Sequence, residues 1–466
     1  MADEVYNPLP SLIDFATRLR YEDLPANVVH ETKRRIVDSL GTAIGGLNDE
    51  RLRERRAFFT KRLITYDGGG AAYGLDGRLS LPDAAFLNST MTRWLDYNDT
   101  YLALEPAHPS DNLGLLFAIA GAKSLSGRDL ITAAALAYDV QCRFTEAASL
   151  RARGWDHVNY ILISAALAGA RLLGFDKQQM YNAVAFALSS HGAMRQAREG
   201  SYLSEQKNMA AGDAVRGAAW ALEKVLSGSH GPAEIVEGKH GFVNQLSGPL
   251  DPAAFDDLGG RFLIADTYIK QHVVEYHSQT VVDHALALRE KLGNPALNEI
   301  KDVLIRGYEA QLTIIGDESK RHPTTKETAD HSLYFAFAAT MLEGEMTLRQ
   351  YRPEMLTNPD VLALIQRIRF EEVPQWTEAY FAPAAERQFA SSAAASLRDG
   401  RSAVHAENFP HGHPHNPMTD AEIEAKFAAL TQPFLADQRA VLDAFWAIDE
   451  APDVAALLSK VTLKGV

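Results

Sequence analysis

Through the first half of the chain, long helical periods of apolar residues alternate with short polar breaks. Apolar positions recur every three or four residues in LPANVVHETKRRIVDSLGTAIGG (24–46), which ends on a Gly pair suited to a helix C-cap. The same period predicts helices over 83–102, 113–125, 130–148, 158–173, 177–193 and 209–226. These segments are rich in Ala and Gly, which lets helices approach closely. YDGGGAAYGLDGRLS (66–80) interrupts the run as a loop or hairpin, and no phosphate-loop or dinucleotide fingerprint fits its glycines.

After about residue 265 the texture changes. IKDVLIRGYEAQLTII (300–315) opens on β-branched residues and predicts a strand pair or a strand plus turn. RQFASSAAASLRDGRSAVHAENF (387–409) carries an RDG break between two extended runs, the pattern of a hairpin. Between them, 331–344 and 358–368 read as helices, so 266–410 is expected to form a separate α+β domain. TDAEIEAKFAAL (419–430) returns to helix behind the capping box Thr419-x-x-Glu422, and the helical segment that follows can rejoin the first domain. No repeat of solenoid period is present.

A chain of 466 residues exceeds one ordinary core and should divide into two or three domains. Its net charge of −14 argues against a nucleic-acid surface, though it leaves room for a local cationic pocket. The acidic start MADEVYNPLPSLIDFA resembles neither a secretory signal nor a mitochondrial transit peptide. The most apolar stretch, 160–170, is too short to span a bilayer, so a cytoplasmic protein without membrane contact is expected. The single cysteine, Cys142, can form no intramolecular disulfide and cannot hold an iron–sulfur cluster; it reads as a small buried hydrophobe.

Candidate chemistry gathers in a few stretches. DYNDTYLALEPAHPSDN (96–112) places Asp96 and Thr100 one turn apart on the expected helix. Pro106 then stops that helix and leaves His108 in a loop. Ser110 and Asp111 are expected to cap the next helix, with Asp99 and Glu105 in solvent. An EF-hand is rejected for lack of its Gly and distal Glu. His157 opens an apolar helix, as a capping or core histidine or as a site group. Arg195, Arg198 and Lys207 surround a Gly-Ser turn, with Lys207 just before a helix; a lysine there is unfavourable unless it faces an anion. Further on, 268–285 clusters Lys270, His272, Glu275, His277 and His284, and 319–332 adds Lys320, Arg321, His322 and Lys326. No zinc pattern is present, and HGHPHNP (411–417) reads as a turn. Such an inventory suits a small polycarboxylate and acid–base chemistry by side chains alone.

LDYNDT, HPSDN, GWDHV, Lys207 before MAAGDA, EYHSQT, KETADHS and GHPHNPMTDAEIEAKF follow one another in an order that resembles the 2-methylcitrate dehydratase (MmgE/PrpD) superfamily. RRIVDSLGTAIGG near the N-terminus matches as well, so the resemblance runs from about residue 10 to 435. It implies a mainly α protein: a large helical domain from both chain ends (1–266 plus 411–466) with an inserted α+β lid (267–410). It also implies a homodimer, a small polycarboxylate substrate, and neither cofactor nor metal. The superfamily includes 2-methylcitrate dehydratases, cis-aconitate decarboxylases and an iminodisuccinate epimerase; EYHSQT and ETADHS favour the dehydratase branch. By resemblance, His108, Lys207, Asp96 and His157 are the catalytic set, with His108 and Lys207 the acid–base pair in either order. Thr100, Lys270 and His277 are expected substrate contacts as well; as cations, Lys270, Arg195 and Arg321 are candidate carboxylate clamps, a task that a bidentate arginine suits. A catalytically inactive carboxylate-binding protein is the alternative of another class.

Overall fold

A computed structural model describes residues 5–65, 68–199, 203–383 and 386–465. The chain forms two compact units. The first comprises 1–198, 206–269 and 419–466; the second comprises 270–418 with the described residues of 199–205.

The first unit is helical. Its elements run α1 (Leu9–Arg18), α2 (Ala26–Gly45), α3 (Glu50–Thr60), α4 (Leu81–Arg93), α5 (Leu113–Ala122), α6 (Gly127–Ala147), α7 (Ile161–Leu172), α8 (Lys177–Ser190) and α9 (Gln206–Leu226). Two-residue hairpins, β1 (Gly70–Ala71) with β2 (Arg78–Leu79) and β3 (Tyr101–Leu102) with β4 (Pro106–Ala107), interrupt the helices. Small residues set the helix spacing. A Cβ on Gly114 of α5 would fall 2.2 Å from Ser89 Oγ of α4, and one on Gly212 of α9 would fall 2.3 Å from Thr90 Oγ1 of α4. Helices α5, α6 and α7 are buried almost throughout, including Cys142.

The second unit is α+β. It contains, in chain order, α10 (Gln279–Lys291), β5 (Ile300–Gly307), α11 (Glu309–Ile315), α12 (Lys326–Ala329), α13 (Leu333–Glu343), α14 (Pro353–Leu356), α15 (Pro359–Ile365), β6 (Ile368–Glu372), α16 (Pro374–Tyr380), β7 (Ser391–Leu397) and β8 (Ser402–Glu407). The sheet order is β6-β5-β7-β8; β5 pairs parallel with β6, and the other pairs are antiparallel. The strand-plus-turn reading of 300–315 resolves as a strand followed by a helix, and the RDG hairpin is β7–β8. Helix α10 lies on β7 and β8. Two titratable pairs join it to β8: His284 Nδ1 lies 2.9 Å from His405 Nδ1, and Asp283 bonds Glu407. Asp283 also receives His272 Nε2 at 2.9 Å. The chain then returns to the first unit as α17 (Asp420–Thr431), α18 (Gln438–Trp446) and α19 (Val454–Leu458). Thr419 and Glu422 form the expected capping box. HGHPHNP is a turn in which His413, His415 and Phe409 stack.

The principal departure from the sequence reading lies after α4. A helix was expected over 83–102, yet α4 ends at Arg93. Asp96 takes a left-handed backbone with φ 53°, a conformation that aspartate enters more readily than most residues. The apolar period continued only because Trp94, Leu95, Tyr97 and Tyr101 stay buried along an irregular path. Trp94 is packed in the core. Its indole donates to Asp49 Oδ2 at 3.0 Å and sits under Arg51 and Arg55. Among the described helices, none is long and apolar enough to cross a membrane.

Candidate active site

The irregular stretch after α4 is pinned at nearly every residue. Asn98 Nδ2 donates to Ser110 Oγ at 2.9 Å and Asp111 Oδ1 at 3.1 Å, and Asp99 Oδ1 accepts from the Ser110 amide at 3.1 Å. Thr100 exchanges main-chain hydrogen bonds with Tyr268. Four expectations are corrected here. Asp96 and Thr100 do not share a helix face, because no helix runs between them. Ser110 and Asp111 lie inside a short 3-10 turn, Pro109–Asn112, and cap nothing with their side chains; they tie it to Asn98 and Asp99. Asp99 is fully buried, and burial pushes its carboxyl up. Glu105 is equally buried and accepts from Ser149 Oγ at 2.9 Å and the Arg151 amide at 3.0 Å, which closes the β3–β4 hairpin onto the next turn.

This bracing gathers a charged group. Arg93 at the end of α4 reaches Asp96 Oδ1 at 2.5 Å with one guanidinium nitrogen and His108 Nε2 at 3.2 Å with another. Lys207 Nζ stands 3.1 Å from Asp96 Oδ2. Arg93, Asp96 and Lys207 are each at most 2% exposed and His108 8% exposed, so these charges act with little water between them. Lys207 lies in the first turn of α9 rather than before it, and the anion it faces is Asp96. The preceding Gly200 and Ser201 lie outside the described residues.

The hydrogen bonds fix the state of His108. Its Nδ1 lies 2.8 Å from the Asp99 carbonyl, which can only accept, so Nδ1 carries the proton. Thr100 Oγ1, at 3.2 Å, supports the same edge. Nε2 is left with its lone pair, directed at the Arg93 guanidinium. The ring of His157 stands edge-on to His108, with centroids 5.6 Å apart. Burial pushes the His157 imidazole down to about 3, with Arg198, Arg195 and Arg93 adding to the effect and Asp156 opposing it. His157 is therefore neutral near pH 7. Burial alone would raise the Asp156 carboxyl, but Arg198, whose Nε donates to Oδ2 at 2.6 Å, helps hold it down at about 2. Asp156 also caps the turn His157–Tyr160 through the Val158 amide. Arg195 opens the neighbouring turn, half-buried, and its amide donates to the Gly154 carbonyl at 3.0 Å.

In the second unit, Glu275 is the focus. It receives His277 Nδ1 at 2.9 Å and the His277 amide at 2.7 Å, while His277 Nε2 faces the Tyr380 hydroxyl at 3.1 Å. Burial would raise the Glu275 carboxyl, yet His277, His331 and Lys270 hold it down at about 2. Lys270 is 1% exposed. Lys326 pairs with Asp330 at 2.9 Å, and Asp330 with His331 at 2.5 Å. Arg321 is committed elsewhere. Its guanidinium bonds Glu318 and the carbonyls of Ile365 and Ile368 and lies 4.0 Å above the Tyr334 ring, so it serves as a brace for the start of β6. Within each unit taken alone, no three His, Cys, Asp or Glu side chains among the described residues converge as metal ligands.

Two family models match this chain: the MmgE/PrpD N-terminal domain over residues 11–254 and the MmgE/PrpD C-terminal domain over 272–450. The chain belongs to the MmgE/PrpD family. Its relatives include the 2-methylcitrate dehydratase of Cupriavidus necator, 28% identical over 408 residues that cover 84% of this chain and 82% of that protein. The mitochondrial 2-methylcitrate dehydratase of Yarrowia lipolytica is 27% identical, covering 86% of this chain and 79% of its own. The 2-methylcitrate dehydratase of Escherichia coli (strain K12) is 26% identical, covering 84% and 83%. Within this MmgE/PrpD chain the C-terminal match runs past residue 418, so it includes α17 and α18 of the helical unit.

Of the expected MmgE/PrpD site residues, the structure brings Asp96, Thr100, His108, His157 and Lys207 together in the first unit. Lys270 and His277 meet around Glu275 in the second. Sequence reasoning missed Arg93, Asp156 and Tyr380. Arg93 carried a signal: it is the one basic residue of α4, at its end, in a helix buried at nearly every position. Tyr380 carried none, since its hydroxyl meets His277 across 103 residues of sequence.

Proposed function

We propose that this chain is a hydro-lyase that dehydrates 2-methylcitrate, or a close relative such as citrate, by acid–base chemistry of its own side chains. The observation that carries the reading is the ordered protonation of the Arg93–Asp96–Lys207–His108 group. His108 offers an unprotonated Nε2, fixed by donation from Nδ1 to a carbonyl, and Lys207 offers an ammonium held by a carboxylate. In this reading His108 Nε2 removes the proton from the carbon beside a substrate carboxylate. The C–H electrons become the new double bond, the C–O bond breaks, and Lys207 gives its proton to the departing hydroxide, which leaves as water. Arg93 neutralises the negative charge that develops on the carboxylate. Lys270 and His277 are proposed as further contacts for substrate carboxylates. A single buried cysteine offers no thiolate set for an iron–sulfur centre, which fits a reaction carried by side chains.

The test is incubation with a panel of tricarboxylates and dicarboxylates, following alkene formation by ultraviolet absorbance and products by NMR. Conjugated alkene from 2-methylcitrate or citrate is the expected result. Carbon dioxide release from an unsaturated acid, or deuterium exchange without alkene, would move the assignment to a decarboxylase or an epimerase. Absence of any turnover would overturn the reading.

A further inference from the structure

We propose that Lys426, on α17 in the C-terminal segment, is a positioning residue that sets the backbone on which Asp96 stands. The inference rests on the dehydratase reading for its kinetic consequence and on geometry for its structural one. Lys426 Nζ donates to the Tyr97 carbonyl at 3.0 Å, one residue beyond the left-handed Asp96. The same ammonium pairs with Asp38 Oδ1 of α2 at 2.7 Å and lies 3.7 Å over the Tyr97 ring. Both side chains are buried, Lys426 at 5% and Asp38 at 0% exposure.

A left-handed non-glycine residue persists only where its surroundings over-determine it. The Asp96 amide is tied back to the Arg93 carbonyl at 3.0 Å, which fixes the entry to the bend. Lys426 fixes the exit, by holding the Tyr97–Asn98 peptide through the Tyr97 carbonyl. Without that anchor the chain leaving the bend can shift and carry the Asp96 carboxylate away from Arg93 and Lys207, whose contacts of 2.5 and 3.1 Å leave little tolerance. A site that depends on contacts this close loses about 10²-fold in rate on a displacement of ~1 Å.

A second ion pair spans the same two helices without touching the bend, which supplies a control. Arg34 of α2 pairs with Asp420 of α17 at 2.6 Å. The experiment compares Lys426→Met, the double variant Asp38→Leu with Lys426→Met, and Arg34→Gln, each by thermal unfolding and by steady-state turnover of the polycarboxylate. Lys426→Met is expected to lower kcat about 10²-fold with little change in KM. The double variant buries no unpaired charge and should regain stability, yet keep the low kcat because the Tyr97 carbonyl still lacks its donor. Arg34→Gln should lose some stability and keep kcat. A double variant with the parent kcat, or Arg34→Gln falling as far as Lys426→Met, would overturn the proposal in favour of simple helix docking. If the unmodified chain turns over no polycarboxylate, the dehydratase reading fails separately. The crystal structure of the double variant then decides: departure of Asp96 from the left-handed region supports the positioning role, and its retention with the Lys207 contact intact overturns it.

Discussion

Replacing Asp96 by asparagine removes a charge while sparing the backbone, because asparagine enters the left-handed region as readily as aspartate. The φ of 53° should therefore survive in Asp96→Asn. What is lost is the anion between two buried cations. At the 3.1 Å separation from Lys207, a unit pair in an effective dielectric of ~20 is worth about 5 kcal/mol. Removing one partner of such a pair costs about 3–5 kcal/mol, since the remaining charges stay desolvated. The amide oxygen still accepts a hydrogen bond, which places the expected loss near the lower bound, about 3 kcal/mol. Against a total stability of about 5–15 kcal/mol this is readily measured as an earlier denaturant midpoint. Turnover should fall as well, because Lys207 loses the carboxylate that aims it. Urea unfolding followed by circular dichroism, together with alkene formation by absorbance, checks both. A variant with the parent midpoint and parent turnover would refute the claim that the Asp96 carboxylate holds Arg93 and Lys207 in place.

Further outcomes follow from other contacts. Lys207→Ala should abolish the proposed dehydration while circular dichroism shows the fold intact; an unchanged rate would remove Lys207 from the chemistry. Glu105→Ala leaves the Ser149 hydroxyl and the Arg151 amide without their buried acceptor and should cost about 1–3 kcal/mol, read by thermal unfolding. Glu407 carries a pH signature. Burial and the neighbouring Asp283 push its carboxyl up to about 9, so the folded chain binds a proton that the unfolded chain releases. Its contribution is present below the ordinary carboxylate range and declines as pH rises to about 9, by at most about 1.4 kcal/mol per pH unit. Glu407→Gln should flatten that decline, and equal pH slopes in the two proteins would contradict the assignment.

Helices α2, α5 to α9, α13 and α17 were legible because their apolar period is strong and their breaks are clear, whereas α1, α3 and α10 were not picked out. The RDG hairpin and the Thr419 capping box were legible because turn and cap chemistry is local. The stretch from 94 to 111 was not, for a physical reason. Its apolar residues keep a helical spacing by coincidence, while tertiary partners decide the path: Asp49 for Trp94, Lys426 for Tyr97, Tyr268 for Thr100. Burial of Asp99 and Glu105 was equally hidden, since their amide and hydroxyl donors come from turns 11 to 46 residues away. Arg321 shows the converse. Its neighbours in sequence suggested a carboxylate clamp, but main-chain carbonyls 44 and 47 residues on had already claimed its guanidinium.

The ion pair between Asp38 and Lys426 has a consequence in time. A ribosome that adds about 5–20 residues per second releases Lys426 roughly 20–80 s after Asp38. For that interval α2 must keep a carboxylate near water that the finished protein buries. The pairing that closes α2 onto α17 thus waits on residues made late, and the bend at Asp96 receives its brace from Lys426 only after α17 has been synthesised. Slowing translation past residue 400 should accordingly lengthen the period in which nascent chains remain sensitive to protease in α2.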